Sequence, residues 1–306
     1  HNSRLAYWSE MTSAVTRIPR VRVANWLLLL LSLFVFAPSI TLGGAIVRGF
    51  NPVTDIRNDD GTWTAPNGCT AADDGASCPG TGLDLGFTAN FFGTSFSQLY
   101  VNTNGSVTFD GPLAAYTPFA LSSMDRQIIA PFFADVDTRN PMSGTTTFGW
   151  SPFDGRRAFR VNWIDVGYYH QRADKLNSFQ LILVDRSDTG AGNFDIVFNY
   201  DSIRWETGEA TTSGGVNGLG GRSARVGYSN GITQTYELPG SGLNGALLDG
   251  GINSLATHSL NSDVAGRYIF FARNGEMLSN VPEPTSLAMV PFGAAVLYYL
   301  KRRRRS

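Results

Sequence analysis

The chain has 306 residues, 42% of them hydrophobic, 12% aromatic and 16% charged, with 34 Gly and 14 Pro; the apolar share fills a core, and so little charge excludes a coiled coil or a disordered polyelectrolyte. The formal charge of −1 hides a segregation: residues 1–45 hold four Arg against one Glu, residues 281–306 one Lys and four Arg against one Glu, and residues 46–280 carry 15 basic against 23 acidic groups, a net of −8. An acidic body repels phosphate backbones, so no nucleic-acid partner is expected.

Arg17, Arg20 and Arg22 precede an apolar run from Trp26 to Ala37, and Gly43 and Ala45 follow with the small-x-small spacing of a signal-peptidase site. A basic stretch, a short apolar stretch and such a site make a secretory signal peptide. Residues 1–45 are therefore read as an N-terminal extension plus signal peptide, cleaved near Ala45, with Met11 as the expected translation start. A permanent anchor fits less well, because about twelve apolar residues rise only about 18 Å as a helix, against a hydrocarbon core of roughly 30 Å.

Residues 46–82 read as a loop-rich segment with Cys69 and Cys78, the only two cysteines. In an oxidising compartment a lone close pair is expected to form a disulfide. Closing so short a loop constrains the unfolded chain by about 2.5 kcal/mol. A zinc site would need two further ligands, and only His170 and His258 remain in the body.

Residues 83–275 read as an all-β domain, firmest over 128–240. Gln98 to Asp110 has the form of a hairpin, with Asn102-Thr103-Asn104-Gly105 as its turn, since Asn-Gly supplies the positive φ that such turns need. Leu85 to Phe92, Ile128 to Val136, Thr145 to Trp150, Arg225 to Tyr228 and Tyr268 to Ala272 are further strand-like runs. Phe159, Val161 and Trp163 alternate with Arg160, Asn162 and Ile164, and Phe194, Ile196, Phe198 and Tyr200 alternate with Asp195, Val197, Asn199 and Asp201. Phe179, Leu181 and Leu183 interleave with Gln180, Ile182 and Val184, the pattern of a strand buried on both faces. The best helical stretch, Leu243 to Leu255, is broken by Gly245, Gly250 and Gly251. Many short strands between Gly and Asn turns predict an antiparallel sandwich or meander.

Three constellations in the body carry chemistry in principle. Gly227-Tyr228-Ser229-Asn230-Gly231 fits the G-x-S-x-G pattern of serine hydrolases, with Asp249 and His258 following in the right order. That pattern needs a strand-to-helix elbow, whereas Ile232 to Tyr236 reads as another strand, so a hairpin turn is expected there and no catalytic residue is assigned. Asp135 and Asp137 share one face if Ala134 to Thr138 is extended, which makes them the candidate Ca²⁺ ligands, with Asp125 or Asp110 to complete the shell. The competing reading is a solvated strand end, and the twelve-residue EF-hand loop is missing. Apart from that ion, no cofactor is expected. Trp163, Tyr168, Tyr169 and His170 form an aromatic stretch that suits either core packing or a sugar ring.

At the end of the chain Val281-Pro282-Glu283-Pro284 precedes an apolar stretch from Leu287 to Leu300, then Lys301-Arg302-Arg303-Arg304-Arg305. The prolines hold the glutamate on extended backbone, and the basic cluster stays on the cytoplasmic side as a topology anchor. The short apolar stretch is expected to form a transmembrane helix. This tripartite tail, residues 281–306, resembles the PEP-CTERM sorting signal of Gram-negative bacteria. The resemblance implies an exosortase, an integral-membrane transpeptidase-like enzyme, as a partner. It also implies a precursor held in the inner membrane before the mature form reaches the cell surface or the exterior.

The body resembles a second family through three blocks. The first is Asn58-Asp59-Asp60-Gly61 with Leu85-Gly86-Phe87 and Leu99 to Gly105; the second is Ile129 to Arg139; the third joins Asn177 to Val184, Phe198-Asn199-Tyr200, Ile203-Arg204-Trp205 and Arg225 to Ser229. Together they look like the nidogen-type extracellular (NIDO) domain, whose members occur in animal basement-membrane and mucin-like proteins and in bacterial exported proteins. The resemblance implies cell–matrix adhesion, with a matrix or polysaccharide component as partner, and no catalysis. The competing class is a secreted hydrolase or a carbohydrate-binding or carbohydrate-active protein with the same tail. It requires a Ser-His-Asp set, or a pair of acids, converging in a pocket.

The disulfide is open to a direct check. Thiol labelling of the denatured, exported chain is expected to find no reactive sulfur at Cys69 or Cys78 until a reductant is added, and two free thiols would refute the pairing.

Overall fold

The computed structural model describes residues 44–63 and 82–278. The expected signal peptide, apart from Gly44 and Ala45 at its end, lies outside the described residues, as do Cys69 and Cys78, the Val281–Pro284 motif, the apolar stretch after it and the basic tail. The described residues all fall within the unit Gly44–Ser306.

Fourteen strands are described: β1 (Val53–Thr54), β2 (Leu83–Phe91), β3 (Thr94–Asn102), β4 (Ser106–Thr108), β5 (Ile128–Phe133), β6 (Val136–Asp137), β7 (Thr146–Trp150), β8 (Ala158–Tyr168), β9 (Arg172–Asp185), β10 (Phe194–Ser202), β11 (Arg225–Ser229), β12 (Thr235–Glu237), β13 (Arg267–Arg273) and β14 (Glu276–Leu278). They form two antiparallel sheets. One runs β1-β7-β8-β9-β10-β13-β14 with β6 added beside β8, and the other runs β12-β11-β5-β4-β3-β2. The helical turns among the described residues are two short 3₁₀ pieces, Leu121–Ser123 and Ser187–Thr189. The glycine-broken stretch at 243–255 forms successive turns. No helix among the described residues is long and apolar enough to cross a membrane.

The main core lies between the sheets, because the alternating apolar residues of both face it. Leu99, Val101, Val107 and Phe132 from one sheet join Phe159, Trp163, Phe179, Leu181, Phe194 and Phe198 from the other in a single buried cluster. Phe132 packs on Phe179 with ring centroids 5.2 Å apart and on Trp205 at 5.7 Å. Polar bonds cross the same gap: the Trp163 indole donates to the Thr103 carbonyl at 2.9 Å and the Tyr200 hydroxyl to the Pro131 carbonyl at 2.7 Å.

β9 is buried on both faces, as its continuous apolar run predicts. Phe179, Leu181 and Leu183 enter the main core, and Ile182 and Val184 join Ala158 and Val197 in a second cluster, with Val47 packed against it. Gln180 sits among the latter fully buried, and it is fully used. Its amide donates to Asn162 Oδ1 and the Val47 carbonyl, and its carbonyl accepts from Asn199 Nδ2 and the Val47 N–H. Arg267 continues this ladder by donating to Asn199 Oδ1 and to the Ala45 carbonyl. Gly44 and Ala45 therefore already pack on the body: Ala45 is 2% exposed, and a Cβ on Gly44 would overlap the Asp201 carboxylate.

Two departures from the sequence reading shape the site. Ile128 to Val136 is not one strand. β5 ends at Phe133, and after Ala134 and Asp135 the chain enters the other sheet as β6, pairing Val136 with Tyr168 and Asp137 with Gly167. The hairpin turn between β3 and β4 forms as expected, but it is buried, with Asn102, Thr103 and Asn104 at most 1% exposed. Its polar groups find partners inside the protein. Gly61 accepts from the Thr103 N–H, the Thr103 hydroxyl donates to Asn58 Oδ1, and Asn104 Oδ1 accepts from the Val136 N–H.

Gly105 closes this turn at φ +71, and a Cβ there would overlap the Phe132 carbonyl. Gly105→Ala combines a left-handed backbone with a backbone collision, so it is expected to cost about 2–4 kcal/mol. Gly155, which also has positive φ but nothing near its Cβ position, is the control: there alanine costs only the conformational part, about 1 kcal/mol. Urea unfolding of both variants measures the difference.

Candidate functional site

The point at which the chain changes sheets is also where three carboxylates meet. Asp135 lies in the crossover between β5 and β6. Asp59 and Asp60 lie on a turn made by Asn58, whose side-chain oxygen accepts from the Gly61 N–H at 2.9 Å. Thr138 fixes that turn from below: its N–H and hydroxyl donate to the Asn58 carbonyl, and its oxygen accepts from the Asn58 N–H. Asn104 Nδ2 donates to Asp60 Oδ1 at 2.9 Å. One oxygen each from Asp59, Asp60 and Asp135 lies within 4.8 Å of the other two, and the three residues are only 1%, 7% and 1% exposed.

Among the described residues, the Arg139 guanidinium serves this cluster. Arg139 reaches Asp59 Oδ2 at 2.9 Å and grips Asp137 through Nε and a terminal nitrogen, at 2.9 and 2.6 Å. It also lies 5.8 Å over the Tyr169 ring. The main-chain N–H groups of Arg139 and Gln171 donate to the two Asp137 oxygens. Asp135 is treated differently: both of its carboxylate oxygens are buried, and neither accepts a hydrogen bond from any described residue. A Cβ on Gly208 would overlap that carboxylate, so the loop after Trp205 closes directly over it. Burial, and then the charges of Asp59, Asp60 and Asp137, push the Asp135 pKa up to about 9, and Arg139 offsets them in part.

The structure thus parts the two aspartates that the sequence pairs. Ala134 to Thr138 is not one extended strand, so alternation does not apply across Asp135. Asp137 turns to Arg139 and Gln171, and Asp135 turns to Asp59 and Asp60. Asp125 is exposed and paired with Arg126, and Asp110 is exposed. Asp59 and Asp60 were not legible as site residues, although an Asn-Asp-Asp-Gly run is a turn signal and part of the family-like pattern.

The hydrolase constellation does not converge. β11 and β12 pair as a hairpin across Ser229 and Thr235, with Ser229 Oγ 2.9 Å from Thr235 Oγ1 and bonded to the Gly231 N–H. Asp249 accepts from the Ser202 hydroxyl and the Ile203 N–H, and His258 Nδ1 lies 2.9 Å from the Ser254 carbonyl. Glu206 holds the N–H groups of Gly220 and Gly245, and Glu209 pairs with Arg172. Of the aromatic stretch, Trp163 and Tyr168 are fully buried, Tyr169 is half-buried and His170 is exposed.

The nidogen-like domain profile matches residues 97–152 and 145–274, more than half of the chain. The chain belongs to that family. It is 32% identical to alpha-tectorin of Mus musculus over 208 residues, which is 58% of this chain and 9% of that protein. Alpha-tectorin of Homo sapiens is 31% identical over 203 residues. Nidogen of Drosophila melanogaster is 28% identical over 226 residues, 66% of this chain and 16% of that protein. The chain therefore spans only a small part of the relatives it matches. No solved structure matches it. Asp135 and Gly208 fall inside the profile match, and Asp59 and Asp60 precede it.

The acids give the domain a pH dependence of definite sign. The folded state keeps the Asp135 proton up to about pH 9, whereas an unfolded aspartate releases it near ~4. Asp55, pushed up to about 6 by burial, acts in the same direction over a narrower window. Between these limits the folded state holds more protons than the unfolded one, so stability falls as pH rises. In chelator, the thermal midpoint is expected to drop steadily from pH 5 to pH 9, and Asp135→Asn is expected to flatten most of that slope. A midpoint that rises over the same interval would contradict the reading.

Proposed function

We propose that this chain is an exported, non-enzymatic surface or extracellular-matrix protein whose nidogen-like domain acts in cell–matrix adhesion. The observation that carries the reading is the family match over 97–274, with relatives named nidogen and alpha-tectorin. The separate engagements of Ser229, Asp249 and His258 support it, because they remove the hydrolase constellation that the sequence offered. Adhesion needs only surface: a specific contact with a matrix or polysaccharide component would bury about 800 Å² per partner.

Two stretches of the sequence support the proposed route of delivery. The basic-apolar-small pattern before Ala45 directs export. The Pro282-Glu283-Pro284 motif, the apolar stretch after it and the basic cluster at 301–305 present the precursor to an exosortase-like enzyme. In this scheme Glu283 is part of a substrate. The prolines keep it accessible, and the arginines fix which side of the membrane it faces.

Intact mass and fractionation in the native host test the whole scheme. The expected product lacks the residues before the body and is found on the surface or outside the cell. Glu283→Ala is expected to leave a tail-bearing precursor in the inner membrane. Folded protein in the cytosol with both ends intact would overturn the proposal.

A further inference from the structure

We propose that Asp59, Asp60 and Asp135 form a Ca²⁺ site that ties the segment at 58–61 to the crossover between β5 and β6. Acidic residues gathered together do not by themselves make a site. What points to a ligand is Asp135: it is 1% exposed, both of its oxygens are sealed from solvent without a hydrogen-bond donor among the described residues, and one of them faces the other two acids within 4.8 Å. A buried carboxylate without donors is strongly unfavourable unless a cation or a proton answers it. Arg139 answers it only in part, since its guanidinium is ion-paired with Asp59 and Asp137 and donates no hydrogen bond to Asp135.

The donor set selects the ion. All three ligand groups are carboxylate oxygens, which suits a hard cation and disfavours zinc or copper. Calcium binds oxygen at about 2.3–2.6 Å, so its ligands lie up to roughly 5 Å apart across the ion, a span that accommodates the observed spread. Magnesium binds at about 2.0–2.1 Å in a strict octahedron and retains most of its water, which suits a sealed pocket less well. Charge argues in the same direction. Among the described residues the Arg139 guanidinium is ion-paired with Asp59 and Asp137, and a divalent cation would offset further negative charge of the acids. The loop that bears Gly208 forms the wall, and its lack of a Cβ leaves the Asp135 carboxylate its room.

The site joins parts of the chain that are remote in sequence. Asn58 and Thr138, which frame it, are 80 residues apart, and Asp60 and Asn104 are 44 apart. Calcium there would act as a clasp on the N-terminal segment, with a dissociation constant on the order of 10⁻⁴ to 10⁻³ M, as in other extracellular modules. The proposal stands on geometry and does not depend on the adhesive reading.

The test uses the purified full chain in mild detergent, treated with EGTA and returned to calcium-free buffer near pH 7.5. Addition of 10 mM CaCl₂, about ten or more times the expected constant, should raise the thermal midpoint by roughly 3–10 °C. Terbium, bound in place of calcium beside Tyr169, should give sensitised luminescence that calcium displaces. Asp135→Asn should melt higher than wild type in EGTA and lose the calcium response. Gly208→Ala should bind calcium at least about tenfold more weakly. Asp137→Asn, though less stable, should keep a calcium-dependent rise. A wild-type midpoint and terbium signal that both ignore calcium would overturn the site and leave a proton shared among the acids as the answer. An equal response to magnesium would overturn the ion assignment. A full calcium response in Asp135→Asn would overturn the ligand set. If that variant does not fold, Gly208→Ala and terbium displacement in the wild type decide the matter.

Discussion

A buried turn organises this protein. The residues from Asn102 to Gly105 would sit in water in an ordinary hairpin, where solvent would satisfy their polar groups. Here they lie inside, and every polar group that cannot reach water must find a partner in the chain. Thr103 and Asn104 find theirs in the segment around Asn58 and in the main chain at Ala134 and Val136. Those bonds determine where two remote stretches come to rest. The meeting of Asp59, Asp60 and Asp135 is a consequence of satisfying the turn.

The same constraint explains why β5 and β6 belong to different sheets. The apolar pattern runs from Ile128 to Val136 with Asp135 as its one charged residue, and alternation alone does not turn that residue into a break. The break occurs where Asn104 takes hold: its carbonyl accepts the Ala134 N–H and its side chain the Val136 N–H. A strand can leave its sheet only if the N–H groups it withdraws are accepted elsewhere, and a single asparagine supplies both acceptors. The crossover then carries the main chain through the core boundary, and Asp135 goes with it.

Alternation made most of the fold legible, because a strand with one face in a core must alternate. β13 follows it residue by residue, β8 as far as Trp163 and β10 as far as Tyr200 send alternate residues into the main core before a bulge shifts the register, and the two-faced burial of β9 was readable from the absence of alternation. The hairpin at Ser229 was readable because a strand, not a helix, follows the G-x-S-x-G pattern. The site was only half legible. Asp135 stood out as an acid inside an apolar run, but its partner was sought two residues away, on the assumption of extended backbone. Asp59 and Asp60 come from a segment whose spatial place depends on the Asn58–Thr138 and Asn104–Asp60 bonds, and side-chain bonds across such separations leave no periodic trace in a sequence.

Two buried polar systems in this domain make an instructive contrast. The ladder of Asn162, Gln180 and Asn199 lies across neighbouring strands, and the Gln180 side chain, fully buried, spends its donors and acceptor on Asn162, Asn199 and Val47, while Arg267 and Ala45 extend the chain of bonds. Its role is structural: it fixes register and fastens the segment at 45–47 over the sheet. The carboxylates near Asp135 are arranged otherwise. Asp137 receives two main-chain N–H groups and a guanidinium, as a structural acid should, while two residues earlier Asp135 receives no donor among the described residues and faces further acids. A fold able to satisfy Gln180 and Asp137 so fully has the means to satisfy Asp135 with protein groups. That it instead surrounds this side chain with other carboxylates, under a glycine that leaves room, is the arrangement expected where the partner is a positive charge that no described residue supplies.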